Sequence, residues 1–303
     1  MRVLREIFMF NNKEYEFVSN YRDDERIRES FNELTDKTYG FNFRKWFDNG
    51  YWNNKYIPYS LLDGDRVVAN VSVNIMDFIV LGERKTLIQL GTVMTDESYR
   101  GQGLNKFLLN KVIEEWQDKC DFIYLFANDT VLNFYPKFGF KKYNQYQCSL
   151  EASKEKSSEI IRKLNVDNSN DRNTLIRILN NKKSLAKLDN IKNTSLVMFY
   201  CIDFMKDNIY YIEEYDVIAI CEYNKNEVIL SDLFSDKDIA LEKIINSLIK
   251  DDTEKVILGF TPKDSTLYKE ELINDENDTL FIRCKKDTIF NKEKLMFPLL
   301  SHA

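Results

Sequence analysis

Histidine is almost missing from this 303-residue chain: the only one is His302. That single count removes catalytic triads built on an internal histidine and metal sites that need several imidazoles. Cysteine is sparse in a similar way. Cys120, Cys148, Cys201, Cys221 and Cys284 are scattered, odd in number and never arranged as C-x-x-C. Neither a zinc site nor a disulfide framework is expected, and no metal; reduced, buried thiols are. Long apolar runs are absent too, since nothing approaches the ~18 residues of a membrane span. Met1–Phe10 interrupts its apolar residues with charge and has no signal-peptide core, so a cytoplasmic location and no membrane partner are expected. Nor is there an excess of positive charge. Lys and Arg total 43 against 49 Asp and Glu, a net −6, which argues against nucleic acid as a partner. What remains is a globular composition, 44% hydrophobic and 14% aromatic, long enough for two domains each with its own core.

The stretch Thr92-Val-Met-Thr-Asp-Glu-Ser-Tyr-Arg-Gly-Gln-Gly-Leu-Asn105 carries the strongest signal. It reads as a strand, a short turn, a glycine-rich loop and the first turn of a helix. Gly101 and Gly103 lack a Cβ, so the chain can turn tightly and expose main-chain N–H groups to an anion at a helix N-terminus. Downstream, Leu104, Phe107, Leu108, Val112, Ile113 and Trp116 recur at helical spacing, with Asn105, Lys106, Asn110, Lys111 and Glu114 on the opposite face. The glycine spacing is neither the dinucleotide G-x-G-x-x-G nor a P-loop.

Arg100-Gly-Gln-Gly-Leu-Asn105 resembles the Q/R-x-x-G-x-G/A acetyl-CoA loop of the GNAT superfamily of N-acetyltransferases. Asn105 departs from the final Gly/Ala, which narrows the space beside the pyrophosphate without removing an amide. A second segment, Asn128-Asp-Thr-Val-Leu-Asn-Phe-Tyr135-Pro-Lys-Phe-Gly-Phe140, resembles the family's Asn…Phe-Tyr-x-x-x-Gly-Phe. The two in this order and spacing support each other.

Around these motifs the chain predicts an α/β fold with a mixed sheet, of the GNAT type. A helix is expected over about Asp23–Thr38, stopped by Gly40. Asp63-Gly64-Asp65 joins strands Tyr56–Leu62 and Val67–Phe78, and Leu81-Gly82-Glu83 leads into strand Lys85–Thr95. Strand Phe122–Ala127, a short helix with Phe134 and Tyr135, and a last strand ending near Leu150 close a first domain, 1–150. Residues 151–193 turn polar, with Ile160, Ile161 and Leu164, then Leu175, Ile176 and Leu179, predicting two linker helices. From 194 to 303 the order recurs: strands Ser195–Phe204, Ile209–Glu213, Val217–Tyr223 and Glu227–Phe234, a helix through Ile239–Leu248, then strands Lys255–Thr261, Thr279–Cys284 and Leu295–Leu300. This resembles a second, degenerate GNAT-like domain. Phe234-Ser-Asp-Lys-Asp-Ile-Ala240 stands where its glycine loop would be, and Asp236 and Asp238 would repel a pyrophosphate, so no CoA is expected there. Tandem bacterial acetyltransferases have such an arrangement.

The resemblance implies acetyl transfer from acetyl-CoA to a primary amine, small molecule or peptide, by direct attack in a ternary complex, and leaves a homodimer open. The amides of Arg100, Gly101, Gln102, Gly103, Leu104, Asn105 and Lys106 would hold the pyrophosphate. Val93, Met94 and Thr95 would run beside the pantetheine, with the Met94 N–H at the reacting carbonyl oxygen. Asn128 would contact the pantetheine amide, or simply end its strand. Tyr135 would be the general acid for the departing thiolate, protonated at neutral pH because free tyrosine titrates near pH ~10; a core aromatic with a wet hydroxyl is the alternative. Gly91 inside a strand suggests a bulge, a close backbone approach or a packing accommodation. The proton acceptor is open. Asn70, Ser72 and Asn74 alternate along one strand face, either as a water relay or as a solvent-facing edge; Asp48 and Asp77 are candidates; and in tandem relatives the chain end reaches the site, a role open to His302 and Ala303. Phe43, Trp46, Tyr51 and Trp52 would wall an acceptor site or pack a helix. A non-enzymatic CoA- or acyl-CoA-binding regulator is the rival class.

Overall fold

Val67–Val73 is buried without interruption and forms the middle of the molecule in a computed structural model that describes residues 3–152, 159–275, 278–285 and 288–303. The chain enters through a hairpin, β1 (Leu4–Phe10) and β2 (Lys13–Ser19), whose turn residues Asn11 and Asn12 have φ of 52° and 61°. Two left-handed residues match the natural twist of paired strands, and asparagine tolerates that conformation. Helix α1 (Glu25–Tyr39) starts where Asp24 accepts the Ile27 N–H and stops at Gly40, φ 76°, with Ile27, Phe31 and Leu34 buried at helical spacing. A short α2 (Arg44–Asp48) follows. Strands β3 (Tyr56–Asp63), β4 (Arg66–Val80) and β5 (Glu83–Thr95) form an antiparallel meander, and α3 (Leu104–Trp116) returns the chain to β6 (Phe122–Ala127), parallel to β5. One core packs α3 side chains Leu104, Leu108 and Val112 against Val71 and Val73; another packs Ile27, Phe31 and Leu34 of α1 with Val67 and Met94.

The remaining elements are β7 (Lys141–Lys142), β8 (Tyr146–Glu151), β9 (Ile161–Lys163), α4 (Ser169–Asn181), β10 (Leu188–Ile191) and α5 (Thr194–Cys201). Then come β11 (Ile209–Ile212), β12 (Val217–Asn224), β13 (Glu227–Phe234), α6 (Leu241–Leu248), β14 (Lys255–Leu258), β15 (Lys269–Leu272) and β16 (Thr279–Arg283). Three expectations change. The first expected linker helix is strand β9, paired with β11 at Tyr210–Ile212. The expected strand Ser195–Phe204 is helix α5: an all-apolar run carries no period, and burial of Leu196, Val197, Met198 and Cys201 in one turn-and-a-half resolves it as helix. Leu295–Leu300 is not a strand either and ends in a 3₁₀ turn over Leu299–Ser301. Residues 153–158 of the expected linker lie outside the described residues.

The second half repeats the first in topology. β12 and β13 are antiparallel, β13 and β14 are parallel, and α6 joins them, as α3 joins β5 and β6. The two units also exchange strands. β8, from the first half, pairs with β14 in the second sheet, while β16, from the second half, pairs with β6 in the first. Sheet membership therefore crosses the expected boundary at residue 150. One core cluster also runs through both halves, from Phe31 and Trp46 to Ile178, Met198, Ile218 and Phe234. Where β13 and β14 part, the chain's own segment fills the opening: the Leu299 N–H donates to the Gly259 carbonyl at 2.9 Å, and a Cβ on Gly259 would lie 2.5 Å from Ser231 O and 2.8 Å from Leu299 Cδ1. Among the described residues no helix is long and apolar enough to cross a membrane.

A buried charged group ties the two sheets. Lys182, after α4, meets Asp189 of β10 at 2.7 Å, and Asp232 of β13 is buried beside them. Burial, which outweighs the attraction of Lys182, pushes the Asp232 carboxyl up to about 7. Because the folded value lies above the unfolded one, the unfolded chain ionises first. This group's contribution to stability therefore falls as pH rises from about 4 to 7 and is flat above that. Asp232→Asn still accepts the Leu233 N–H and does not titrate. Its melting temperature is expected to exceed wild type by a margin that opens between pH 4 and 7 and reaches a few degrees at pH 8; a constant difference across that range in a thermal-shift series would contradict this account.

Candidate active site

The strand β5 controls the site. It pairs with β6 from Leu87↔Phe122 to Gln89↔Tyr124, and then the two part, although β5 runs to Thr95 and β6 to Ala127. On its other edge β5 carries a bulge. Asn70 pairs with Met94, but Ser72 pairs with Gly91, and Thr92 adopts φ 49° between them. A buried chain of side chains holds the bulge. Asn70 Nδ2 donates to the Thr92 carbonyl at 2.8 Å, Ser60 Oγ donates to Asn70 Oδ1 at 2.8 Å, and Ser72 Oγ donates to the Tyr56 hydroxyl at 2.9 Å. Tyr56 in turn lies 2.8 Å from Thr92 Oγ1. Asn70 and Ser72 are fully buried, so this part of the polar face of β4 is a direct side-chain brace and not a solvent-facing edge, while Asn74 faces the cavity.

Below the parting strands lies a cavity of about 810 Å³. Of the expected residues it takes in Val93, Asn105, Asn128 and Tyr135 on one side, and Phe43, Trp46, Asn74 and Ala303 on the other. Arg100, Gly101, Gln102, Gly103 and Lys106 are exposed beyond its rim, forming the loop that opens α3; Gly101 and Gly103 have φ of 75° and 85°. Leu104 is buried under that loop, while Thr95 lies beside it, its carbonyl accepting from Arg100 Nε at 3.4 Å. Tyr51 and Trp52 stay out of the cavity wall. Trp52 packs on Trp46 at 5.8 Å, and the Tyr51 carbonyl accepts from Ser195 Oγ at 2.6 Å. Asp48 and Asp77 also lie elsewhere, Asp77 paired with Lys55 at 2.8 Å.

Met94 requires a correction. Its side chain is core, receiving the Thr35 hydroxyl, and it does not line the cavity. The Asp96 N–H donates to the Val68 carbonyl on β4 at 2.9 Å. Strand alternation puts the Met94 N–H, two residues back, on that same β4 side, and the main-chain groups of Val93 and Thr95 on the opposite side. Consistently, the Val93 carbonyl accepts from the Tyr39 hydroxyl at 2.9 Å, at the cavity. The backbone available to a ligand is thus that of Val93, one residue earlier.

Gly91 is explained by a close approach: a Cβ there would lie 2.3 Å from the Ala303 carbonyl oxygen. Beside it, Asn74 Nδ2 and Gln89 Oε1 are buried without a partner. His302 stacks on Phe126 at 3.8 Å and points Nδ1 at Asp278, 3.3 Å away. Tyr135 is buried against Phe134, Phe140 and Phe281, and burial drives its phenol well above the ordinary tyrosine range, so the hydroxyl keeps its proton. Burial of the Tyr39 hydroxyl end raises it to about 12. Asn128 uses its Oδ1 locally, on the Thr130 N–H and hydroxyl, leaving its Nδ2 for other partners. Sequence reasoning missed Tyr39, Phe41, Gln89, Phe199, Phe204 and Asp278 of this wall. The signal for Phe199 was available, but reading α5 as a strand placed it away from the site.

Residues 17–140 match the family model described as acetyltransferase (GNAT) family. Those residues form a GNAT acetyltransferase domain. The chain is accordingly an acyltransferase. Solved structures with the same GNAT fold extend over both halves. A protein from Enterococcus faecalis V583 described as a probable N-acyltransferase is 13% identical, with a TM-score of 0.57 over 94% of this chain and 73% of that one. A GCN5-related N-acetyltransferase from Kribbella flavida is 15% identical, with a TM-score of 0.56 over 89% and 71%. Eis1 from Mycobacterium abscessus is 10% identical, with a TM-score of 0.58 over 93% and 73%. No curated protein matches the sequence.

Proposed function

We propose that the protein transfers an acetyl group from acetyl-CoA to a primary amine, by direct attack within a ternary complex. The observation that carries this reading is the parting of β5 from β6 into a cavity that begins beside the α3 loop and ends at Gly91 and Ala303. The residues present fit the cofactor. Gly101 has open space where a Cβ would stand, α3 offers a helix N-terminus of thirteen residues, and Asn105 Oδ1 is buried without a partner at the cavity wall.

Acetyl-CoA would supply the thioester whose acyl carbon the amine attacks. The main-chain N–H groups from Arg100 to Lys106 would hold the pyrophosphate, and that of Thr95, with Asn128 Nδ2, would hold the pantetheine amides. Val93 N–H steadies the acyl oxygen, a fixed donor of the kind whose loss costs about 10²–10³ in rate. Tyr135 gives its proton to the departing sulfur. For the proton leaving the amine, the acidic side chain in the cavity wall is Asp278, and Asn74 and Ala303 border the acceptor. The second half covers the acceptor end and binds no cofactor, its own opening being filled by Leu299.

Calorimetry on the full chain is expected to give acetyl-CoA binding on the order of micromolar, followed by thiol release when amines are added. Binding without release under any amine would favour a CoA-responsive regulator, and no binding at all would sink the proposal.

A further inference from the structure

The acceptor end of the cavity is walled by aromatic rings from both halves. Phe41 and Phe43 precede α2, Trp46 lies within it, and Phe199 and Phe204 come from α5 and the residues after it. Phe199 stacks on Phe43 at 5.3 Å and meets Trp46 edge-on at 5.7 Å. Phe204 stands perpendicular to Phe41 at 5.6 Å and contacts Phe199 at 5.4 Å. The frame is rigid, because Trp46 Nε1 donates to the Ser195 carbonyl at 2.7 Å, Ser195 Oγ to the Tyr51 carbonyl, and Lys45 to the Ile202 carbonyl. Yet Phe204 is 50% exposed and Tyr39 46%, an unusual amount of ring surface to leave open at a cavity mouth.

Charge at this end is scarce. Asp278 is the one acidic side chain among the described residues that line the cavity. A polycation such as a polyamine or an aminosugar chain would lose water around several ammonium groups and find in return one side-chain carboxylate, Asp278, which already faces His302 Nδ1 at 3.3 Å, and the Ala303 chain end against Gly91. A single ammonium on a flat apolar body fits better, since ring faces attract a cation and bury an aromatic body together.

We propose that the acceptor is a monoamine carried on an aromatic body, an arylalkylamine, held between the rings of the two halves with Phe204 as the mouth residue. This rests on the acetyl-transfer reading for its chemistry but not for its binding test. Calorimetric titration of the full chain with 2-phenylethylamine, propylamine and spermidine, without acetyl-CoA, reads the cage alone. The aromatic amine is expected to bind about tenfold tighter than either of the others. With acetyl-CoA present, kcat/KM should follow the same order. Phe204→Ala is expected to lower kcat/KM for 2-phenylethylamine about tenfold through KM and to change it little for propylamine. Phe199→Leu, which keeps apolar volume and removes the ring, should act the same way if the first variant folds poorly. Preference for spermidine, or equal losses for propylamine and 2-phenylethylamine in both variants, would overturn the assignment while leaving acetyl transfer intact. Failure of acetyl-CoA to bind, with the amine order preserved, would instead remove the transfer reading and leave the cage.

Discussion

Tyr135→Phe is expected to reduce kcat about 100-fold, with acetyl-CoA affinity within about twofold of wild type, the range seen when a positioned acid is removed. The substitution deletes one oxygen from a ring that is otherwise packed on three sides, at 5.3 Å from Phe134, 6.1 Å from Phe140 and 5.9 Å from Phe281. Packing is therefore kept, and melting temperature should barely move. The hydroxyl's value lies in its protonation. A leaving thiolate of pKa about 8.5 needs a donor that is still protonated at neutral pH. Burial disfavours the phenolate, so raising the pH removes this proton only above the ordinary tyrosine range. A basic limb in the wild-type rate at pH 8–9 would thus have to come from another group. Rates for Tyr135→Phe within twofold of wild type, measured as thiol release under saturating acetyl-CoA, would exclude the acid role and leave Tyr135 as a core aromatic.

The same ring shows why some of this site was legible in sequence and some was not. The glycines at 101 and 103 and the helix behind them belong to one local segment, legible through short-range spacing, and Tyr135 belongs to another, Asn128–Phe140, legible through its resemblance to a family motif. Strand Phe122–Ala127 and the stop of α1 were also legible locally, through a compact apolar run and a glycine stop. Phe281, which supports Tyr135, arrives from β16, far along the chain, because the halves exchange their closing strands. No local pattern announces such an exchange, since β8 and β16 are short strands whose sequences do not say which sheet they join. Register was also out of reach. The one-residue difference between Met94 and Val93 depends on the bulge at Thr92, and a single-residue shift inverts which main-chain groups face a cleft. Asn70 and Ser72 suggested a polar face but not its purpose; only the pairing with Thr92 and Tyr56 identifies it as the brace for that bulge.

Gly103→Glu is expected to abolish measurable acetyl-CoA binding, and the comparison with Gly103→Ala isolates the reason. Gly103 caps α3 at φ 85°, a conformation that disfavours any side chain by about 1–2 kcal/mol. A Cβ there would meet only the Phe10 ring, Cζ at 3.6 Å and Cε1 at 3.9 Å, which is ordinary contact. Alanine thus carries the backbone strain alone, and if that strain tilts the loop amides, binding should weaken about tenfold. Glutamate adds a carboxylate where the pyrophosphate charge would sit, and like charges brought together cost several kcal/mol, about another 100-fold. That extra deficit is electrostatic and exposed, so it should shrink as salt is raised from 0.05 to about 1 M, whereas the alanine deficit should not. The pattern of salt dependence therefore separates charge from distortion, which affinity at one ionic strength cannot do. Equal losses for alanine and glutamate at every salt concentration would mean that the α3 loop supports the fold without meeting the phosphates. Undiminished binding in both would place the anion elsewhere, and with it the cofactor.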